Sequence, residues 1–328
     1  MDTFLSCDWG TTSFRLRRVD SSDGTILDEH QEPSGVRALH ATCPADNPVA
    51  REKIFAEFLR AQIHSLAGDA TDSAQPLPVF VSGMASSSIG WKELPYASLP
   101  IGLDGSGVNQ LIFDLALDER AVARIHLISG LRGENEIMRG EETEIFGLFA
   151  DQRHAGIARN GIVVLPGTHS KHARLRDGLL TEFHTFMTGE LFDVLSTHSV
   201  LRVSVEGSLT LGEPRARAAF IDGVRAAAAA GMDGALFQTR TRSVLHGVPP
   251  PINRWFLSGV LIGSEMGHLS RGEENPPILL AAPETISPAY QLALETLERK
   301  DVTTIPPDEM AGASVRGHRL LLRRELPK

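Results

Sequence analysis

The sequence predicts an α/β protein of two domains, and three observations carry that expectation. Short apolar runs of strand character alternate with longer stretches of helical spacing. A chain of 328 residues exceeds one ordinary core and suits two. A strand–Gly-Thr–strand pattern also occurs once near the start of each half, in "CDWGTTSFRLRRVDSSDG" and "VLPGTHSKHARLRDG". Gly10–Thr11 in the first stretch matches Gly167–Thr168 in the second.

Phe4–Cys7 and Phe14–Val19 read as a hairpin, and "GTILDEHQEP" supplies a third strand after Asp23-Gly24. "NPVAREKIFAEFLRAQIHSLAG" reads as a helix with Asn47 as cap, Pro48 in its first turn and Gly68 as its stop. Ile54, Phe55, Phe58, Leu59, Ile63 and Leu66 give it a helical apolar stripe. "LPVFVSGM" and "RIHLISGL" are nearly continuous apolar runs ending at Gly, as buried parallel strands require. "EETEIFGLFA" reads as a helix, and the polar stretch Asp151–Asn160 then interrupts the pattern. The second half opens with the strand "GIVVLPGTHSKHARLRDGLL" and continues with helical "PRARAAFIDGVRAAAAAGM" and "INRWFLSGVLIGSEMGHLS". "PPILLAAPETISPAYQLALETLERK" reads as strand, loop and helix, and "DEMAGASVRGHRLLLRREL" as a closing helix.

Composition is that of a globular chain: 42% hydrophobic and 22% charged residues, with a mean hydropathy of −0.07. A net charge of −9 disfavours general nucleic-acid binding, which calls for a basic surface. It leaves room for a small anionic substrate held by local Lys and Arg. The two cysteines, Cys7 and Cys43, do not suggest a stapled scaffold. "MDTFLSCDWG" lacks the basic start and long apolar run of a signal peptide, and no stretch has the apolar length of a membrane span. A reduced, cytoplasmic setting without membrane or nucleic-acid partners is the expectation.

An ordinary hairpin needs no second threonine, so Thr11 and Thr12 are surplus to the first turn. Such turns offer backbone N–H groups and hydroxyls to phosphate oxygens, and Gly lets the backbone come close. Asp8, at the end of the first strand, points at the same place. A carboxylate beside phosphates is repulsive unless a cation such as Mg²⁺ lies between, which makes Asp8 a candidate metal ligand. "GMASSSIGWK" has the wrong spacing for a P-loop, because Trp91 separates Gly90 from Lys92.

The blocks "DWGTTSFR", "SGMASSSIGWKELPY", "MRGEET", "LPGTHSKH", "MTGEL" and "LSGVLIGSE", in that order over most of the chain, resemble the 2-dehydro-3-deoxygalactonokinase family. That family lies within the sugar kinase, actin and Hsp70 ATPase superfamily. The resemblance implies two ribonuclease H-like domains with an interdomain cleft. It also implies ATP and Mg²⁺ as cofactors and transfer of a phosphoryl group to the terminal hydroxyl of 2-keto-3-deoxygalactonate. The expected division is 1–155, with the first phosphate turn and the sugar-acid site, and 156–328, with the second phosphate turn and the adenosine site. The last helix is a candidate for return to the first domain, and a homodimer is the candidate assembly.

Under this resemblance Gly10, Thr11, Thr12, Gly167, Thr168 and His169 cradle phosphates, and Asp8 and Glu142 hold the metal. Leu165 stands where a second Asp would match Asp8, so the base is sought in "MRGEET". Glu141 is assigned as base and Glu142 to the metal, because consecutive helical residues point in different directions. The alternative is that both carboxylates serve only the helix dipole. Lys171 is the cation for the transferring phosphoryl group. Gly35, Arg37, Ser82, Met84, Trp91, Lys92, Arg139, Thr188 and Glu190 are assigned to the sugar acid. Among them Arg37 and Lys92 are the carboxylate partners and Trp91 a wall. Gly259, Gly263 and Ala282 are assigned to adenosine, with close helix packing as the other explanation of the two glycines. The competing functions are an exopolyphosphatase-like hydrolase, suggested by "RGEE", and a non-catalytic sugar-acid sensor.

Overall fold

The computed structural model describes residues 3–44, 47–67, 75–269 and 275–325. The chain forms two units. One is Met1–Ala158 with Arg176–Glu182 and Ala311–Lys328, and the other is Arg159–Leu175 with Phe183–Met310. The second unit is therefore an insertion into the first along the chain.

The first unit begins with an antiparallel meander, β1 (Thr3–Trp9), β2 (Phe14–Asp20) and β3 (Ile26–Glu32). Two helices follow, α1 (Val36–Thr42) and α2 (Pro48–Ala67), and then β4 (Leu77–Gly83). The short strands β5 (Ala97–Ser98) and β6 (Ile101–Gly102) precede β7 (Gln110–Ala116) and β8 (Val122–Ile128). After β9 (Leu131–Arg132) and β10 (Ile137–Met138) come α3 (Glu141–Leu148) and α4 (Ala155–Arg159). The main sheet has the order β3-β2-β1-β4-β8-β7, with β1, β4 and β8 parallel.

The second unit opens with β11 (Asn160–Leu165), β12 (Ser170–Arg176) and β13 (Leu179–Phe186), followed by α5 (Thr188–Thr197). Three longer helices follow, α6 (Pro214–Leu236), α7 (Gln238–His246) and α8 (Pro250–His268). The unit ends with β14 (Ile278–Leu280), α9 (Ser287–Thr296), β15 (Val302–Thr304) and α10 (Pro307–Ala311). Its strands run β13-β12-β11-β14-β15, with β11, β14 and β15 parallel. This is the order β3-β2-β1-β4-β8 of the first unit, so two similar α/β sheets stand behind the repeated Gly-Thr turn.

Alternation along β1 sets the core of the first unit. Leu5, Cys7 and Trp9 face α2, where Phe55, Leu59 and Ile63 are fully buried against Phe14, Leu16, Val79 and Val81. Each such side chain contributes roughly 1.5–3 kcal/mol of burial. Asn47 caps α2 by accepting the Ala50 N–H at 3.0 Å; the expected stop at Gly68 lies outside the described residues. Phe4, Val19, Phe80 and Ile128 face the other way, under Val315, Leu321 and Leu322 of α11 (Ala313–Glu325). Helix α11 meets α3 at backbone contact: a Cβ on Gly147 would lie 1.7 Å from the Ala313 carbonyl oxygen, and one on Gly317 2.1 Å from that of Thr143. Any larger residue at either position forces α3 and α11 apart.

Candidate active site

Asp8 lies on the same face of β1 as Phe4 and Ser6, opposite Arg15 of β2 and beside Ser82 of β4. Trp9 turns the other way into the core. The chain then leaves β1 through a tight turn in which the Gly10 N–H donates to the Ser13 carbonyl at 2.9 Å. Helix α1 braces this turn. The Val36 and Arg37 amides donate to the Gly10 and Thr11 carbonyls at 3.0 and 3.1 Å. Gly35 permits that approach, because a Cβ there would sit 2.4 Å from the Thr11 oxygen and the Thr12 nitrogen. The brace leaves the Thr12 side chain and Arg37 exposed. Among the described residues the Arg37 guanidinium has no hydrogen-bond or ion-pair partner.

The end of β4 and the start of α3 close on the end of β1. Gly83 and Gly140 adopt φ of 88° and 115°, conformations that side chains resist. A Cβ on Gly83 would lie 2.7 Å from the Trp9 oxygen, and one on Gly140 3.4 Å from the Gly83 Cα. This packing brings the acidic first turn of α3 to Asp8. Burial holds the Asp8 carboxyl above the ordinary carboxylate range; Arg15 and Arg17 oppose that shift, and Glu141 adds to it. Glu144 is pushed up to about 8 by burial and then by Asp8, Glu141 and Glu142. Asp8, Glu141 and Glu144 thus share one electrostatic neighbourhood. Glu144 is absent from the sequence-derived site. Its signal was its spacing: three residues after Glu141, it lies on the same helical face.

Glu142 has a different position. It is 0% exposed, and its Oε1 and Oε2 accept the Gly140 N–H at 2.9 and 2.7 Å. Burial and Glu141 push its carboxyl up to about 8, against the Gly140 bond and Arg139. A side chain enclosed in this way fixes the Gly140 corner and is not presented to an ion. This enclosure disfavours the expectation that Glu142 is a metal ligand.

The segment from Gly83 to Tyr96 departs further from expectation. Trp91 is 2% exposed and packs on Phe113 and Trp9 at ring distances of 5.0 and 6.5 Å, so it is core and not a wall. The Lys92 ammonium pairs with Glu52 of α2 and lies over the Phe113 ring. It has no free charge for a carboxylate. Ser82 is buried and Met84 half-buried. Arg139 donates to the Ser86 carbonyl at 2.7 Å and to the Leu94 carbonyl at 3.4 Å, and its guanidinium stacks 4.2 Å from the Tyr96 ring centre. It staples this segment to α3.

In the second unit the Pro166–His169 turn is built like the first. Helix α5 follows the third strand, as α1 does, and its Glu190 N–H donates to the Thr168 carbonyl at 3.1 Å. A Cβ on Gly189 would lie 2.5 Å from the Gly167 oxygen, so Gly189 corresponds to Gly35. Gly167, Thr168 and His169 are exposed, and a Cβ on Gly167 would meet nothing within 4 Å. The protein interior does not demand glycine there. His169 Nε2 contacts Glu190 Oε2 at 2.5 Å. Lys171 is 3% exposed and its Nζ donates to the His169 carbonyl at 2.9 Å, so the ammonium supports the turn from beneath. Thr188 is buried at the start of α5.

Gly259 and Gly263 belong to helix packing. Cβ atoms there would lie 2.1 Å from the Phe220 oxygen and 2.7 Å from the Val224 Cα, both on α6. Across from them a Cβ on Gly223 would lie 2.2 Å from the Phe256 oxygen. Close helix packing, the other explanation the sequence offered, accounts for both glycines. Ala282 is 1% exposed and packs in the core beyond β14.

Among the described residues no three His, Cys, Asp or Glu side chains are placed to hold a metal ion by themselves. Magnesium is usually carried by one or two carboxylates, with phosphate and water completing its shell. Asp8 and Glu144 fit that role. Both are hard oxygen donors; burial and then the charges of Asp8, Glu141 and Glu142 raise the proton affinity of Glu144, and a dication would relieve that repulsion.

The chain resembles known proteins over nearly its whole length. The family described as 2-keto-3-deoxy-galactonokinase matches residues 8–316. A Rhizobium meliloti (strain 1021) protein, a probable 2-dehydro-3-deoxygalactonokinase, is 32% identical over 320 residues, 95% of each chain. The 2-dehydro-3-deoxygalactonokinase of Escherichia coli (strain K12) is 28% identical over 95% of this chain and 96% of its own. A crystal structure of a candidate 2-dehydro-3-deoxygalactonokinase from Sinorhizobium meliloti superposes with a TM-score of 0.78. It shares 30% identity and covers 98% of this chain and 100% of the other.

Proposed function

The chain belongs to the 2-keto-3-deoxy-galactonokinase family, and from that premise we propose that it transfers the γ-phosphoryl group of ATP to the terminal hydroxyl of 2-keto-3-deoxygalactonate. The family match over residues 8–316 carries this reading. The parts described above supply what phosphoryl transfer requires: positioned phosphate donors, a carboxylate cluster and a free cation for the substrate acid.

In the first unit Arg37 takes the sugar-acid carboxylate, because its guanidinium is exposed beside the Thr12 turn and a planar fork suits that ligand. Glu141, held from behind by the Arg139 N–H at 3.1 Å, orients the attacking hydroxyl and receives its proton as the oxygen–phosphorus bond forms. Asp8 and Glu144 would hold Mg²⁺, which would supply positive charge to offset that of the nucleotide phosphates. In the second unit the exposed Gly167–His169 turn takes nucleotide phosphate on its backbone N–H groups. Among the described residues no helix is long and apolar enough to cross a membrane.

A coupled assay of ADP release tests the reading. ADP should appear with ATP, Mg²⁺ and 2-keto-3-deoxygalactonate together, and only slowly when the sugar acid is omitted. Release that does not depend on the sugar acid would instead identify a hydrolase.

A further inference from the structure

We propose that Tyr290, anchored by Glu265, is a positioning residue that sets the shape of the Gly167–His169 turn. The proposal rests on the reading of that turn as a nucleotide phosphate site. Tyr290 on α9 is buried at 3% exposure, Glu265 on α8 at 2%, and Ser170 at 0%. The Tyr290 hydroxyl donates to Glu265 Oε2 at 2.8 Å. Its single proton is thereby used, so the Ser170 hydroxyl, 3.1 Å away, donates to it. Ser170 Oγ in turn accepts the Gly167 N–H at 3.3 Å. The chain has one polarity, from the turn amide through two hydroxyls to a carboxylate. The Tyr290 hydroxyl also interacts with Thr188, the first residue of the helix that braces the same turn. One hydroxyl thus supports both halves of the phosphate loop from beneath.

The far side of Glu265 is equally committed. Its Oε1 lies 3.0 Å from His172 Nε2, while His172 Nδ1 is buried without a partner. The arrangement is satisfied when Nε2 carries the proton and the bare Nδ1 faces the apolar side, because an unmet ring lone pair is tolerated better than an unmet N–H. His172 therefore keeps Glu265 aimed at Tyr290. None of these side chains is exposed at the turn, so they act on it only through Ser170 and Thr188. A buried, fully oriented polar chain ending on one backbone amide restricts that amide to one direction, and pre-set amides are what phosphate binding requires.

The test uses the full chain and measures ATP affinity by calorimetry in the presence of Mg²⁺. The KM for the sugar acid and the melting temperature are followed alongside. Tyr290→Phe keeps the ring in the core and removes the hydroxyl; Ser170→Ala cuts the same chain nearer the turn and serves should the first variant fold poorly. Both should weaken ATP binding about tenfold while the sugar-acid KM stays unchanged, and Ser170→Thr should restore affinity. A lower melting temperature with unaltered ATP affinity in the folded variants would overturn the proposal and leave the network a merely structural role. Gly167→Ala separates this failure from failure of the turn assignment. If Gly167→Ala weakens ATP binding and the network variants do not, only the positioning role falls. If Gly167→Ala also leaves ATP affinity unchanged, the turn is not the phosphate site and both readings fall.

Discussion

Asp8 stands directly across the β1–β2 ladder from Arg15, yet burial still holds its carboxyl above the ordinary range. The arginine therefore steadies Asp8 without neutralising it, and leaves it a basic oxygen donor. Asp8→Asn should lower kcat by about two orders of magnitude or more and raise the Mg²⁺ concentration needed for half-maximal rate. Kinetics titrated with Mg²⁺ check both. An unchanged Mg²⁺ requirement would remove Asp8 from the metal site.

The Glu144 carboxyl, at about 8 when folded against 4.5 ordinarily, makes stability depend on pH in a definite direction. Between those values the folded state keeps a proton that the unfolded chain has lost. Stability therefore falls as pH rises from about 4.5 to about 8. Glu144→Gln removes that loss. Without Mg²⁺ the variant should exceed the parent by about 1–3 kcal/mol near pH 8.5, and the gap should close toward pH 5. Urea denaturation at the two pH values measures it, and a gap of the opposite sign would contradict the assignment.

Glu141 and Glu142 are adjacent but should respond differently. Glu141→Gln should reduce kcat by about 10²–10⁴-fold with ATP affinity kept. Glu142→Gln retains an oxygen for the Gly140 N–H and should act mainly on stability. Single-turnover rates and thermal melts distinguish the pair. A dead Glu142→Gln enzyme with a normal melt would reverse the roles.

Arg37→Ala should raise the KM for the sugar acid about 10–100-fold, the loss of one charge-assisted contact. Lys92→Ala should leave that KM unchanged and cost less than about 1 kcal/mol, as a surface pair with Glu52 implies. Steady-state kinetics at saturating ATP decide between the two cations.

The sheets were legible because their strands carry unbroken apolar runs or clean alternation, as in "LPVFVSGM". The two-residue strands β5, β6, β9 and β10 were not, since two residues have no period. The Gly-Thr turns were visible as a repeat. Their braces were hidden, because Gly35 and Gly189 have in common only a preceding hydroxyl residue, Ser34 and Thr188. Trp91 and Lys92 misled because a polar, Ser-rich setting reads as a pocket, whereas the burial of Trp91 and the partner of Lys92 come from distant segments. Gly259 and Gly263 are spaced i, i+4, which already favours a helix crossing; only the position of Gly223 on α6 decides it.

The contact of Gly147 with Ala313 and of Gly317 with Thr143 has a consequence for how the protein is made. Helix α3, with Glu141 and Glu144 in its first turn, is seated by residues translated some 170 positions later. A ribosome that has delivered all of the inserted unit has still not delivered the helix that seats those carboxylates. The inserted unit can mature while the chain is still being synthesised, but the carboxylate face must wait for Ala313–Glu325. Premature termination just before this helix would therefore yield a long polypeptide with a sound sheet in the inserted unit and an unseated acidic turn.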